Sequence, residues 1–191
     1  IKSPVEYQFS IYRTLRYSYP TTNLQTKLYT HLTMLWYMSA IGMEIGDPPS
    51  VAGWPAYYQA PQFDKSWITS DSISKRAEIS DAMTVWGVYL TEDEFIPVDM
   101  ISCAKSLSQP ADPNALITSL ADLFYGIPIT TEIRDELKLI LLSGQSSDYY
   151  WTNAWDDFLG DEGNNEFKVI VENRLKVLLQ SMLQYAEFHL M

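Results

Sequence analysis

The chain has 191 residues, 47% of them hydrophobic and 14% aromatic, and a formal net charge of −11. A domain of this size typically buries roughly 70% of its unfolded surface, so neither a metal nor a disulfide is needed to hold it together. The acidic balance repels phosphate backbones and anionic lipid headgroups, and so weighs against nucleic-acid and peripheral-membrane partners.

Ser3-Pro4-Val5-Glu6 reads as a helix start, with Ser3 as cap, Pro4 at the first helical position and Glu6 completing a capping box. Val5, Phe9, Tyr12 and Leu15 follow at helical spacing, and Tyr19-Pro20 ends the element. A second helix starts near Thr22 or Asn23. Its apolar stripe is Leu24, Leu28, Leu32, Leu35 and Ser39, widened by Trp36, and Gly42 and Gly46 mark its end. From there to Ser70 no period is visible. Ser70 or Asp71 opens a third helix carrying Ile73, Ala77, Ile79, Met83 and Trp86.

Gly87-Val88-Tyr89-Leu90 reads as a short extended piece and Thr91-Glu92-Asp93-Glu94 as an acidic turn. Asp99 caps a short helix with Met100, Cys103, Ala104 and Leu107. Asp112-Pro113 starts another, with Leu116, Leu120 and Leu123 inward. Thr130 or Thr131 starts the next, with Ile133, Leu137, Ile140 and Leu141 inward. Gln145 to Asn164 reads as an aromatic, acidic loop. The last and longest helix begins near Asn165, with Phe167, Ile170, Val171, Leu175, Leu178, Leu179, Met182 and Ala186 apolar. The expected fold is all-α: an irregular helical bundle of about six or seven helices with two long aromatic-rich loops, forming one domain over residues 1–191. The most apolar run, Leu32 to Met43, is too short and polar for a membrane span, so no membrane insertion is expected. An Ile at position 1 suggests a fragment or a processed product, and no signal segment opens the chain.

The most distinctive segment is Pro48-Pro49-Ser50-Val51-Ala52-Gly53-Trp54-Pro55. Its prolines fix φ and disfavour helix in the preceding residues, and Gly53 permits a positive φ. The simplest outcome is a stiff loop that plants Trp54 between helices, with Trp67 following. The functional alternative has Trp54, Tyr57, Tyr58 and Trp67 lining a cleft, with Asp64 and Asp71 as its polar groups.

This segment, followed by Trp67-Ile68-Thr69-Ser70 and a helix with Arg76, resembles the bacterial family DUF1800, which carries a PPxVxGWP segment and then a Trp-Ile-Asn/Thr-Ser stretch. The opening Lys2-Ser3-Pro4-Val5-Glu6 and the closing Ala186-Glu187-Phe188-His189-Leu190 resemble the family's ends as well. Gln59-Ala60-Pro61-Gln62-Phe63 departs from its shorter glycine-rich link. Family members are usually longer, so the resemblance implies that this is a C-terminal half. It also implies an exported protein, periplasmic or extracellular, with its own N-terminal half and a DUF1501 sulfatase-like protein as partners. It implies no reaction.

The residues themselves offer little chemistry. The two histidines, His31 and His189, and the single Cys103 match no zinc spacing, so no metal and no cofactor is expected. There is no nucleophile elbow and no phosphate-cradling glycine loop. Asp156, Asp157, Asp161 and Glu162 lie beside Trp151, Trp155 and Phe158, a composition found in glycosidases and also in ordinary solvated loops. Three readings follow. The first is a non-catalytic module that packs against its N-terminal half or a partner and shows a large apolar patch when alone. The second is a catalytic half of a hydrolase acting on a cell-surface or environmental polymer, with acids from Asp64, Asp71 or the 156–162 cluster. The third is a carbohydrate-binding module, with a row of exposed rings and no perturbed acid.

Overall fold

The computed structural model describes residues 1–51, 53, 67–91 and 94–190. Among them the chain is helical apart from one small hairpin. It divides into two compact units, 1–98 with 189–191, and 99–188.

The first unit opens with α1 (Pro4–Thr14), whose start forms a complete capping box between Ser3 and Glu6 with Pro4 in the first turn. Helix α2 (Leu24–Ala40) is capped by the Asn23 side chain, which accepts from the Gln25 and Thr26 amides. Helix α3 (Ser70–Val85) is capped by Thr69, paired reciprocally with Ser72. Strands β1 (Val88–Thr91) and β2 (Glu94–Ile96) then pair antiparallel, with Val88 opposite Ile96 and a register shift between Tyr89 and Thr91. The extended piece is therefore one arm of a hairpin, and the expected acidic turn, Thr91 to Glu94, contributes its end residues to the two strands.

Gly87 makes the turn from α3 into β1. Its φ is +93°, and its N–H reaches back to the Ala82 carbonyl at 3.2 Å. Helix α2 packs on α1, α3 and β1. Tyr7, Ile11, Tyr12, Leu15, Met34, Tyr37, Met38, Ile79, Met83 and Val88 are buried.

The sequence stripe of α2 is present, but it faces the other way. Leu24, Leu28, Leu32, Leu35 and Trp36 are 42–81% exposed, while Thr30, Thr33, Met34, Tyr37 and Met38 point inward. The threonines tolerate burial because each hydroxyl has an acceptor: Thr30 donates to the Thr26 carbonyl at 2.9 Å and Thr33 to the Tyr89 carbonyl at 2.6 Å. Similar corrections apply to Phe9, Ile73, Trp86, Leu123 and Ile170, all exposed although they fall on expected inner faces.

The second unit contains α4 (Met100–Lys105), α5 (Pro113–Phe124), α6 (Thr131–Leu141), α7 (Tyr149–Gly160) and α8 (Asn165–Gln184), followed by a 3-10 turn (Ala186–His189) that leads back to the first unit. Asp99, Asp112, Thr130 and Asn164 cap four of these helices with their side chains. Helix α8 is the axis of this unit and packs on α4, α5, α6 and α7. Its inner face is Val171, Leu175, Leu178, Leu179 and Met182. Helix α7 corrects the second expected loop. Trp151, Trp155 and Phe158, at i, i+4 and i+7, form one buried stripe on it.

Candidate functional site

The first unit carries an open groove of about 980 Å³ between α2, α3 and the hairpin. Its walls are Tyr29, Leu32, Thr33, Trp36, Tyr37 and Ala40 from α2, Lys75, Glu78, Ile79 and Ala82 from α3, and Tyr89, Leu90, Thr91 and Phe95 from the hairpin. The size is that of a ligand cleft, and the lining is mostly apolar. The Thr33 hydroxyl holds the hairpin to α2 through the Tyr89 carbonyl. Rings cluster at the hairpin: Tyr89 meets Phe95 edge-on at 5.5 Å, and Trp86 lies 6.3 Å from Phe95. On the groove wall, Trp36 leans on Tyr37 at 5.3 Å and remains largely exposed. The outer leucines of α2 continue from this groove through the shared Leu32.

A second cluster is closed. Arg76 on α3 is fully buried. Its Nη2 donates to the carbonyls of Lys2 at 2.9 Å and Trp67 at 3.3 Å, and its Nη1 lies 3.4 Å from His189 Nδ1. The guanidinium sits 4.7 Å over the Tyr7 ring, and the Tyr7 hydroxyl donates to the Arg76 carbonyl at 2.7 Å. Burial pulls the Arg76 pKa down to about 10. Burial, and then the Arg76 charge, hold Lys2 at about 8 against the raising effect of Glu6. Burial raises the Tyr7 phenol.

The residues singled out by sequence are placed as follows. Pro48 is half-buried, Pro49 and Val51 are exposed, and Gly53 has φ +90° with its N–H donating to the Ser50 carbonyl at 2.9 Å. Trp67 is buried, and its carbonyl accepts from Ser72 as well as from Arg76. Trp54, Pro55, Tyr57, Tyr58 and Asp64 lie outside the described residues. Asp71 is a solvated surface acid paired with Lys75 at 2.8 Å, an ion pair of little energetic weight. Trp151 and Trp155 are interior rings and offer no face to a ligand. Their burial is what folds α7. Asp156 and Asp157 are on the outer face of the same helix, with Asp157 accepting from Asn153 at 3.1 Å.

The carboxyl groups whose pKa is displaced go downward. In Asp99, burial raises the pKa but the hydroxyl and amide of Ser102 outweigh it. In Glu132, its own backbone N–H lowers the pKa, and in Asp148 the bond from Lys138 does. A general acid needs the opposite displacement. Among the described residues no cluster of His, Cys, Asp or Glu is arranged to hold a metal ion, and no helix is long and apolar enough to cross a membrane.

The signal for the groove was in the sequence. Helix α2 reads apolar on two faces, and only one can face its own unit.

A family model described as "Protein of unknown function (DUF1800)" matches residues 1–190. Comparison with curated proteins finds no match, and comparison with solved structures finds none.

Proposed function

The chain belongs to DUF1800, whose description assigns no activity, and from this premise we propose that it is a non-catalytic helical module of an exported bacterial protein, docking through the outer face of α2 onto a protein partner. In the reading that the family resemblance supports, that partner is the N-terminal half of the same polypeptide. A DUF1501 sulfatase-like protein is the second partner it suggests.

One observation carries the reading: Leu24, Leu28, Leu32, Leu35 and Trp36 of α2 are exposed together on its outer face. An apolar stripe of this kind on a helix normally faces a packing partner. Burying a fully exposed leucine contributes about 1.5–3 kcal/mol, and these four leucines are 42–81% exposed, so covering the stripe favours association by a part of that for each. Charge agrees: α2 contains no Asp or Glu, although the chain carries 24 of them. The one charged group on this helix is the exposed Lys27, whose stem can lie along apolar surface while its ammonium stays at the rim.

The test is co-purification of the N-terminal half with the wild-type chain and with a Leu28→Asp/Leu32→Asp double variant. The variant is expected to keep its helical circular-dichroism spectrum, because both side chains are about half exposed, and to lose the partner. Equal recovery of the partner by both proteins would contradict the reading.

A second reading draws on the ring-lined groove. Trp36, Tyr89 and Phe95 form a row of partly exposed rings, the arrangement a carbohydrate-binding module uses. If sugar polymers are its ligands, their retardation of the chain in affinity gels is abolished by Trp36→Ala. Unretarded migration of the wild type removes this reading and leaves the docking reading untouched.

A further inference from the structure

Arginine has only donors, so the contact between Arg76 Nη1 and His189 Nδ1 has one chemically sensible form. Nδ1 accepts, and the ring is neutral with its proton on Nε2. The ring also lies parallel to Tyr7, with centroids 5.4 Å apart and planes 5° apart. The His189 carbonyl accepts from the Lys2 N–H at 2.7 Å. The first residues, α1, α3 and the last residues of the chain therefore meet at one buried imidazole.

We propose that His189, clasped by Arg76, is an acid-sensitive latch: neutral, it ties the last residues to α1, α3 and the N-terminal segment, and protonated, it releases them.

Protonation places an N–H on Nδ1, facing the N–H of Nη1. The hydrogen bond becomes a donor–donor clash, and a second positive charge is set against the guanidinium. Among the described residues, the groups shown facing the ring from other elements are Arg76 on α3, Lys2 before α1 and Tyr7 on α1. Glu187 precedes it on its own turn. Burial, and then the charges of Arg76 and Lys2, hold its pKa down at about 4.

An unfolded histidine titrates near about 6.5. Between these two values the open form binds more protons than the closed form. The stability contributed by the neutral latch is present above about pH 6.5 and is lost as pH falls through about 4. The latch joins the chain where it returns to the first unit at residue 189, so acid acts first on the last residues.

The chain has two histidines, so ring nitrogen spectra of the wild type and of His31→Gln assign both. At pH 7, His189 is expected as the Nε2–H tautomer, with a titration midpoint far below that of a free histidine. An Nδ1–H tautomer, or a midpoint near that of a free histidine, overturns the proposal. The second readout is exchange of the Lys2 amide, corrected for its intrinsic rate. Going from pH 7 to pH 4.5, its protection is expected to fall by roughly 50-fold in the wild type, from the displaced titration. In His189→Asn, whose Oδ1 accepts at Nδ1's place without titrating, it should stay nearly constant. The same fall in both proteins overturns the latch.

Discussion

Replacing Trp151 with alanine is expected to lower the unfolding free energy by about 3–5 kcal/mol, the largest loss from any single side chain described above. The ring is fully buried, 5.5 Å from Trp155, and its indole N–H donates to the Pro110 carbonyl at 2.8 Å. Truncation removes the transfer energy of an indole, opens a cavity under α7 and strips a hydrogen bond from a loop carbonyl. Trp151→Phe keeps most of the ring and should lose markedly less. Urea unfolding followed by circular dichroism measures both variants. A loss below about 1 kcal/mol for the alanine variant would show that this ring is not structural, and would return it to the list of ligand-facing residues.

The second large effect is expected at Gly87. An alanine Cβ there would lie 2.1 Å from the Ile96 carbonyl oxygen, 2.6 Å from its carbon and 2.7 Å from the Pro97 Cα. All three are backbone atoms of the facing arm, which no rotamer change can move. The positive φ adds about 1–2 kcal/mol and the overpacking about 1–3 kcal/mol. The hairpin must open or α3 must shift, and either distorts the groove wall made by Tyr89 and Phe95. Gly42→Ala is the matched control, since Gly42 also has positive φ (+102°) but nothing within 4 Å of an added Cβ. Gly87→Ala should therefore lose clearly more stability than Gly42→Ala in the same urea titration. Equal losses would mean that strain, and not the close approach to Ile96, governs the turn.

Helix starts were the most legible part of the sequence because they are local. Ser3-Pro4-Glu6, Asn23, Asp99 and Asp112-Pro113 each place an acceptor within reach of the amides of the following turn, and the structure uses all four. The direction an apolar face points is not local. Leu24, Leu28, Leu32 and Leu35 form as regular a stripe as any in the chain, yet Thr30, Thr33 and Tyr37 occupy the interior because the hairpin offers Thr33 a carbonyl partner.

Helix α7 was hidden for another reason. Its cap position, Asp148, makes no side-chain cap hydrogen bond, and its aspartates drew attention to chemistry. The spacing of Trp151, Trp155 and Phe158 was nevertheless that of a helix. Arg76 stood out in the sequence only as a point of family resemblance. Its partners at residues 2, 67 and 189 are too far apart in the chain for any pattern to join them.

The proposed docking face of α2 is tested most directly by oxidative footprinting of the isolated chain and of the same chain joined to the N-terminal half that the family resemblance implies. Leu28, Leu32 and Trp36 should react readily in the isolated chain and become protected in the joined protein, while Trp86, exposed elsewhere on the first unit, should react alike in both. Equal reactivity of the α2 side chains in the two proteins would contradict the account.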